Sequence, residues 1–382
     1  MPGNATNFIH GADDIVRVPD VVPPINISTT YRYNSDPSQL VKVADRGGYE
    51  ILNNPWYSRL SHPNSEQIEN AVAKVTGGYV VAYSSGLSAF FALMTYYNPK
   101  VLSIGNGYHG VHGIANIFTR NNGLKQISLD DDFEQLNEGD IVHLETPVNP
   151  EGINFNIKEF ADKAHARGAI LSVDATFAPP PLQDPFKFGA DIILHSATKF
   201  FGGHSDLLAG FLITKSKEIR DALLNDRLLL GTNIANLESS LLIRGIRTLD
   251  LRVRKQSETA SKIVHYLENN KSKFPGLTKI YHGSLQTDAY IKEQLPIGHS
   301  PVFSIEVESE VFAKYLPSKL KYFYHATSLG GVESLIEWRA LSDPSANPAL
   351  LRVSIGVEDY EDLLEDFIEA FTAAKLEVAS LK

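Results

Sequence analysis

A lysine stands just past an apolar stretch in Asp191-Ile-Ile-Leu-His195-Ser-Ala-Thr-Lys199-Phe-Phe-Gly-Gly-His204, beside two hydroxyls and a glycine turn. A free lysine, with a pKa of about 10.4, becomes a nucleophile or base near neutrality only when it is desolvated or set beside positive charge. Asp174 closes the apolar run Ala169-Ile-Leu-Ser-Val-Asp174. A carboxylate at the end of a buried strand is costly unless a cation meets it. Ser84-Ser85-Gly86-Leu87-Ser88 turns a strand into a helix, and the free N–H groups of a helix start cradle anions. Ser196 and Thr198 add hydroxyl donors. Tyr57 and Arg59 put a phenol and a guanidinium on one short extended run, and Tyr108, one of 16 tyrosines, follows a glycine turn. Arg352 lies alone in the apolar run Leu350–Ser354. It demands an anion, which a substrate carboxylate and a structural ion pair would supply equally. An amine, an acid, a phosphate cradle, a stacking ring and a carboxylate clamp are what pyridoxal phosphate and an amino-acid substrate need. Lys199 would be the cofactor's covalent anchor, Asp174 the partner of its pyridine nitrogen, and Ser85, Gly86, Ser196 and Thr198 the phosphate ligands.

The elements that must position these groups follow from pattern. Short apolar strands are predicted at Tyr79–Tyr83, Val101–Ile104, Gln126–Leu129, Ile141–Leu144, Ala169–Asp174, Asp191–Leu194 and Ala209–Ile213. They alternate with helices from Ser65, over Gly86–Tyr97 and over Ile157–Arg167, the first capped by Asn64 or Ser65. Unbroken apolar strands between helices argue for a mostly parallel sheet covered on both faces, an α/β fold. Two helical stretches are expected between 216 and 270. Beyond 275 the pattern becomes α+β, with strands near Lys279–His282, Val302–Val307, Tyr322–Tyr324 and Leu351–Ser354, and helices Glu310–Leu316 and Tyr360–Leu376. The polar segment 283–300 reads as a loop over an opening. The resulting division is an extended arm over 1–50, a cofactor-binding domain over 51–250 and a smaller C-terminal α+β domain over 251–382.

Composition narrows the classes. The 382 residues are 43% hydrophobic and 21% charged, with a net charge of −10. That balance disfavours broad binding to nucleic acid or anionic membrane. The chain has no cysteine, which excludes disulfides, thiolate metal sites and a cysteine nucleophile. No apolar run reaches the ~18–20 residues of a membrane span, and the start lacks the pattern of a secretory leader. A cytosolic enzyme is expected. His109 and His112, like His10 and Asp13, are three apart but lack a third ligand nearby, so they read as polar loop residues and no metal site is expected.

These residues together resemble the Cys/Met-metabolism pyridoxal-phosphate enzymes, the family of cystathionine γ-synthase, cystathionine γ-lyase and related lyases. The resemblance runs from Val21-Val-Pro-Pro-Ile-Asn-Ile-Ser-Thr-Thr-Tyr31 through Tyr57-Ser-Arg59, Tyr83-Ser-Ser-Gly86, Glu145-Thr-Pro-Val-Asn149-Pro and the lysine segment to Ser328-Leu-Gly-Gly-Val-Glu333 and Leu351-Arg-Val-Ser-Ile-Gly356. It implies a fold-type I architecture, with Lys199 as covalent anchor and proton shuttle and Asp174 at the pyridine nitrogen. It further implies Tyr108 stacked on the ring, and Gly86, Leu87, Ser196 and Thr198 around the phosphate. Asn149 would lie near the cofactor and the substrate carboxylate, Arg352 and Ser328 would bind that carboxylate, and Glu333 would meet the substrate's far end. Tyr57 and Arg59 would reach a neighbouring subunit's site in a homodimer or homotetramer, with Tyr57 and Tyr108 tuning proton traffic. The implied reaction is γ-replacement: an O-acylhomoserine loses its γ-substituent to cysteine. The alternatives are a γ- or β-lyase and, less favoured, a non-catalytic homologue. The chain departs from the family pattern at His109-Gly-Val-His112-Gly, at Ser61-His62-Pro63-Asn64, and at Trp338-Arg339-Ala-Leu-Ser-Asp-Pro344. All three are expected around the substrate pocket.

Overall fold

The computed structural model describes residues 2–15, 18–45 and 56–381. Seven strands form one sheet: Tyr79–Tyr83 (β1), Val101–Ile104 (β2), Lys125–Ile127 (β3), Ile141–Glu145 (β4), Ile170–Asp174 (β5), Ile192–His195 (β6) and Gly210–Thr214 (β7). Their order is β1-β7-β6-β5-β4-β2-β3. Every neighbour from β6 to β3 pairs in parallel, and β7 alone runs against β1 and β6. Strands such as β4, β6 and β7 are buried on both faces because helices cover both. One apolar layer holds Phe200, Phe201 and Phe211, and the other holds Phe90, Leu93 and Leu194. Each such side chain contributes roughly 1.5–3 kcal/mol when fully buried.

Five strands form a second sheet: Leu277–Tyr281 (β8), Val302–Val307 (β9), Phe323–His325 (β10), Ser334–Trp338 (β11) and Leu350–Ser354 (β12), in the order β10-β11-β12-β9-β8. It is antiparallel except at β10–β11. Its core joins Phe303, Phe312 and Ile336 to Phe367 and Phe371 of the helix Tyr360–Ser380. The helix Leu249–Asn269 serves both bodies: Leu249 and Val253 pack on the large core, Ile263 and Leu267 on the small one. A division at 250/251 therefore falls in this helix's first turn, and one at 50/51 lies outside the described residues. No described helix is long and apolar enough to cross a membrane.

Several local expectations change. His109–Asn122 is a helix, not loop: Val111, Ile114, Ala115 and Phe118 bury one stripe at helical spacing, which the surrounding His and Gly disguise. Three helices, Lys217–Leu230, Asn236–Ile246 and Leu249–Asn269, replace the two expected. Strand β11 has no counterpart in the sequence reading, because Glu337 interrupts its apolar run. The helix expected from Ser65 starts at Pro63, and its cap is His62, whose ring nitrogen accepts the Asn64 N–H at 3.2 Å. The first 50 residues are not wholly extended, since Asn4–His10 is a helix that buries Phe8. The segment 283–300 is not a plain loop, and none of its residues lines the cavity that holds Lys199. It contains the helix Ala289–Gln294, and Gln286 and Gln294 clamp it to the backbone of Asn154, Phe155 and Ile157.

Candidate active site

At the carboxyl ends of β4, β5 and β6 the large body meets the small one across a cavity of about 570 Å³. Ser85, Gly86, Leu87, Tyr108, Asn149, Asp174, Ser196, Thr198, Lys199, Ser328 and Arg352 all line it. Strand ends of an open parallel sheet are the ordinary place for a ligand, and here three segments distant in sequence converge.

Lys199 follows β6 by one turn. Its Nζ donates to Ser328 Oγ at 3.0 Å. Burial, reinforced by the Arg352 guanidinium, brings its pKa down to about 8. Ser328 itself holds φ at +84°, a left-handed conformation unusual for a residue with a Cβ. Its carbonyl accepts from Arg352 Nη2 at 3.0 Å, so one strained residue touches both the amine and the guanidinium.

Asp174 ends β5, buried, with its carboxylate on the Thr176 N–H at 2.9 Å and on the Thr176 hydroxyl. Among the described residues it forms no ion pair. Burial raises its pKa. Beside it in the parallel register stands Glu145, half-buried, whose pKa is raised by desolvation and by Asp174. Glu145 accepts the N–H groups of Tyr108 and Asn149, both at 2.8 Å, and so fixes the positions of two cavity residues. The sequence reading gave Glu145 no role. The available signal was a second carboxylate closing the neighbouring apolar strand.

The anion cradle is built by close approach. Ser85 caps the helix Gly86–Tyr97 by accepting the Ser88 N–H at 3.0 Å. A Cβ at Gly86 would stand 3.0 Å from that of Ser196, and one at Gly210 would stand 2.2 Å from the Ser85 carbonyl oxygen. Leu87 and Ser196 border the same hollow. Thr198 Oγ1 is engaged with Ala209, donating to its carbonyl at 3.2 Å and accepting its N–H at 3.0 Å.

Arg352 occupies the centre of β12 with Glu337 directly opposite on β11. Its Nη1 donates to Asn149 Oδ1 at 2.9 Å and its Nη2 to Glu337. Both anions foreseen for this arginine thus concern one site, since the ion pair lies on the cavity wall. Burial would raise the Glu337 pKa, but Arg352, the Ser342 hydroxyl and Arg339 outweigh it and hold the carboxyl below its ordinary value. Arg339 and Ser342, inside the third departure, line the cavity, as does His109 of the first. The second departure does not line it: Ser61, His62 and Asn64 are buried at the helix start, and Asn64 bonds the backbone of Pro24 and Asn26.

Three expected site residues stand outside this chain's own cavity. Glu333 takes the Ser205 hydroxyl instead. Tyr57 is 44% exposed with the Arg59 guanidinium 5.4 Å from its ring centre, and Arg59 bonds the Leu228 carbonyl at 3.0 Å.

A lysine and a desolvated acid at the strand ends of a sheet with one reversed strand, beside a glycine-built anion cradle, define a pyridoxal-phosphate enzyme of fold type I. The chain belongs to the Cys/Met metabolism PLP-dependent enzyme family, whose model matches residues 5–372. It is 34% identical to cystathionine gamma-lyase of Saccharomyces cerevisiae, over 97% of each protein. It is 33% identical to cystathionine beta-lyase of Lactococcus lactis subsp. cremoris, over 97% of this chain and 99% of that one. The crystal structure of cystathionine gamma synthase from Xanthomonas oryzae pv. oryzae in complex with cystathionine superposes with a TM-score of 0.87 at 28% identity, over 98% and 99% of the two chains. The chain is therefore a PLP-dependent enzyme of sulfur amino-acid metabolism.

The residues present fit that cofactor. Asp174 is a buried carboxylate that meets no cation among the described residues, and a protonated pyridine nitrogen would complete it. Gly86 lines the cavity at a helix start, where a Cβ would crowd Ser196, and such a place suits a phosphate.

Proposed function

We propose that this enzyme performs γ-replacement, exchanging the γ-substituent of an O-acylhomoserine for cysteine to give cystathionine. The supporting observation is the linked set Lys199–Ser328–Arg352: an amine of lowered pKa, 3.0 Å from a hydroxyl whose own backbone carbonyl holds the carboxylate-binding guanidinium. When bound, pyridoxal phosphate supplies an electron sink conjugated to the substrate's α-carbon. The chain's residues do the rest. Arg352 and Asn149 receive the α-carboxylate, and Ser328 orients Lys199 Nζ toward the α-proton. Lys199 takes that proton near neutrality because burial has already removed most of the cost of its neutral form. The same amine serves the β-carbon and the departing γ-group in turn. Asp174 would supply the negative charge for the cofactor's pyridine nitrogen, and Glu145 keeps Tyr108 and Asn149 in place. Leu329 is buried in the wall of the same cavity.

Tyr57 and Arg59, half-exposed beside each other and away from their own cavity, complete a neighbouring subunit's site in this reading, so the active form is at least a homodimer. The proposed division is an arm over 1–50, a cofactor domain over 51–250 and a C-terminal domain over 251–382, the last two sharing the helix Leu249–Asn269. A lyase is the second reading, favoured by the likeness to the yeast γ-lyase and the Lactococcus β-lyase. Two assays of the purified holoenzyme separate them. Cystathionine formation from O-acetyl- or O-succinylhomoserine plus cysteine supports replacement. Release of cysteine or homocysteine, ammonia and an oxo acid from cystathionine alone, without any replacement, overturns it.

A further inference from the structure

Arg352 has a resident carboxylate. Glu337 faces it across the β11–β12 register, and Glu337 Oε2 accepts from Arg352 Nη2. The same oxygen accepts from Arg339 Nη1 at 3.0 Å, and Glu337 Oε1 accepts the Ser342 hydroxyl at 2.6 Å. Glu337, Arg339 and Arg352 are only 3%, 3% and 5% exposed. Arg339 further reaches Ser342 Oγ at 3.1 Å and Asp343 Oδ2 at 3.4 Å, while its Nε is buried without an acceptor. Arg339, Ser342 and Arg352 all line the cavity, so this chain of charges borders the space a substrate enters.

A substrate's α-carboxylate must therefore compete with Glu337 for Arg352. A buried carboxylate left without its partner is strongly disfavoured, so Glu337 would hold Arg352 closed if nothing else received it. Arg339 already holds the contested oxygen by a bond from Nη1, and a charge-assisted hydrogen bond of this kind is the strong sort that keeps a carboxylate in place. We infer that Arg339 is a positioning residue for substrate binding: it retains Glu337 while the substrate's carboxylate takes over the Arg352 guanidinium. The inference rests on the reading of Arg352 as the α-carboxylate site. It gives the third departure from the family pattern a purpose, because the cation is supplied from within that segment.

Steady-state kinetics of the holoenzyme, with O-acetylhomoserine plus cysteine or with cystathionine, test it. Arg339→Gln should raise KM about tenfold, the scale of one charge-assisted hydrogen bond, with a smaller change in kcat. Arg339→Lys should fall between. The double change Glu337→Gln with Arg339→Gln should bring KM most of the way back, since the competing charge is gone. A merely structural Arg339 would give a double variant no better than the single one, and that result overturns the inference. Should R339Q fail to fold, E337Q alone decides: a lowered KM supports competition, and a raised KM refutes it. Arg352→Gln separates the two levels. An unchanged KM there defeats the carboxylate-site reading and the inference with it. A raised KM with R339Q at the wild-type value leaves the reading standing and defeats the inference alone.

Discussion

The two walls of the cavity satisfy their charges in opposite ways. On the large-body side, buried Asp174 and part-buried Lys199 have no ionic partner among the described residues, and desolvation moves each toward its neutral form. On the small-body side, Glu337 lies between Arg352 and Arg339 in a closed network whose carboxyl stays ionised. One wall is incomplete until a ligand joins it. The other has its charges paired and must exchange a partner to bind an anion at Arg352. A desolvated, unpaired group is costly in the free protein and gains most from its ligand, which suits a cofactor that stays. An internally paired arginine costs little when free and releases substrate readily, which suits a substrate that leaves.

Four experiments would break or sharpen that contrast. The largest effect belongs to the incomplete wall. Lys199→Ala should abolish covalent attachment of pyridoxal phosphate, followed by mass and visible absorbance. Turnover should fall by about 10²–10⁴-fold from the lost proton transfer alone, and retained turnover would remove Lys199 from its role. Next is Asp174→Asn, which should lower turnover by about 10²-fold or more, the scale of a lost electrostatic contact to the reacting system. It should also stabilise the cofactor-free protein at pH 7 by roughly 1–2 kcal/mol. The sign follows from linkage: an acid whose folded pKa exceeds its unfolded value binds more protons when folded, so stability falls as pH rises through that window, and asparagine removes the loss. Thermal melts of the two cofactor-free proteins at pH 5 and pH 7 measure it. A wild type that does not lose stability across that interval relative to the variant contradicts the account.

The third experiment concerns rate. Capture of the cofactor aldehyde by the cofactor-free enzyme needs the neutral amine, so its rate should climb with pH and level off above about 8. A free lysine would keep climbing to about 10.4. A profile without a plateau below pH 9 would mean that Lys199 is not desolvated. The smallest effect lies away from both walls. His62→Ala removes the cap on the Asn64 N–H and should cost about 0.5–2 kcal/mol of stability, read by denaturant midpoint. An unchanged midpoint would show that the cap contributes nothing.

The incomplete wall was the legible one. Its groups come from strand ends and the turns that follow, at Asp174, at Ser85-Gly86-Leu87 and at Ser196–Lys199, where the apolar run that predicts the strand also says where it stops. The paired wall was not legible in the same way. Arg352 was evident as a cation in an apolar strand, but its partner Glu337 interrupted the pattern of β11, and so the strand and the pairing were lost together. Glu145 was hidden inside a motif quoted for other reasons. The helix His109–Asn122 escaped because glycine and histidine mask its apolar stripe. Glu333 was expected at the substrate, yet it bonds Ser205, because a motif specifies a residue's type and place in the chain but not which neighbour its side chain meets.

Local pattern by itself determined the parallel sheet and the placing of Asp174, Lys199 and the Ser85-Gly86 turn at its strand ends, since each depends on where a buried strand ends and what residue follows. Only the tertiary structure decided that segments from two bodies bring Lys199, Ser328 and Arg352 into one chain of contacts, and that Glu337 pairs with Arg352 with Arg339 behind it. Those facts depend on strand register and on packing between segments more than a hundred residues apart, and neither leaves a period in the sequence.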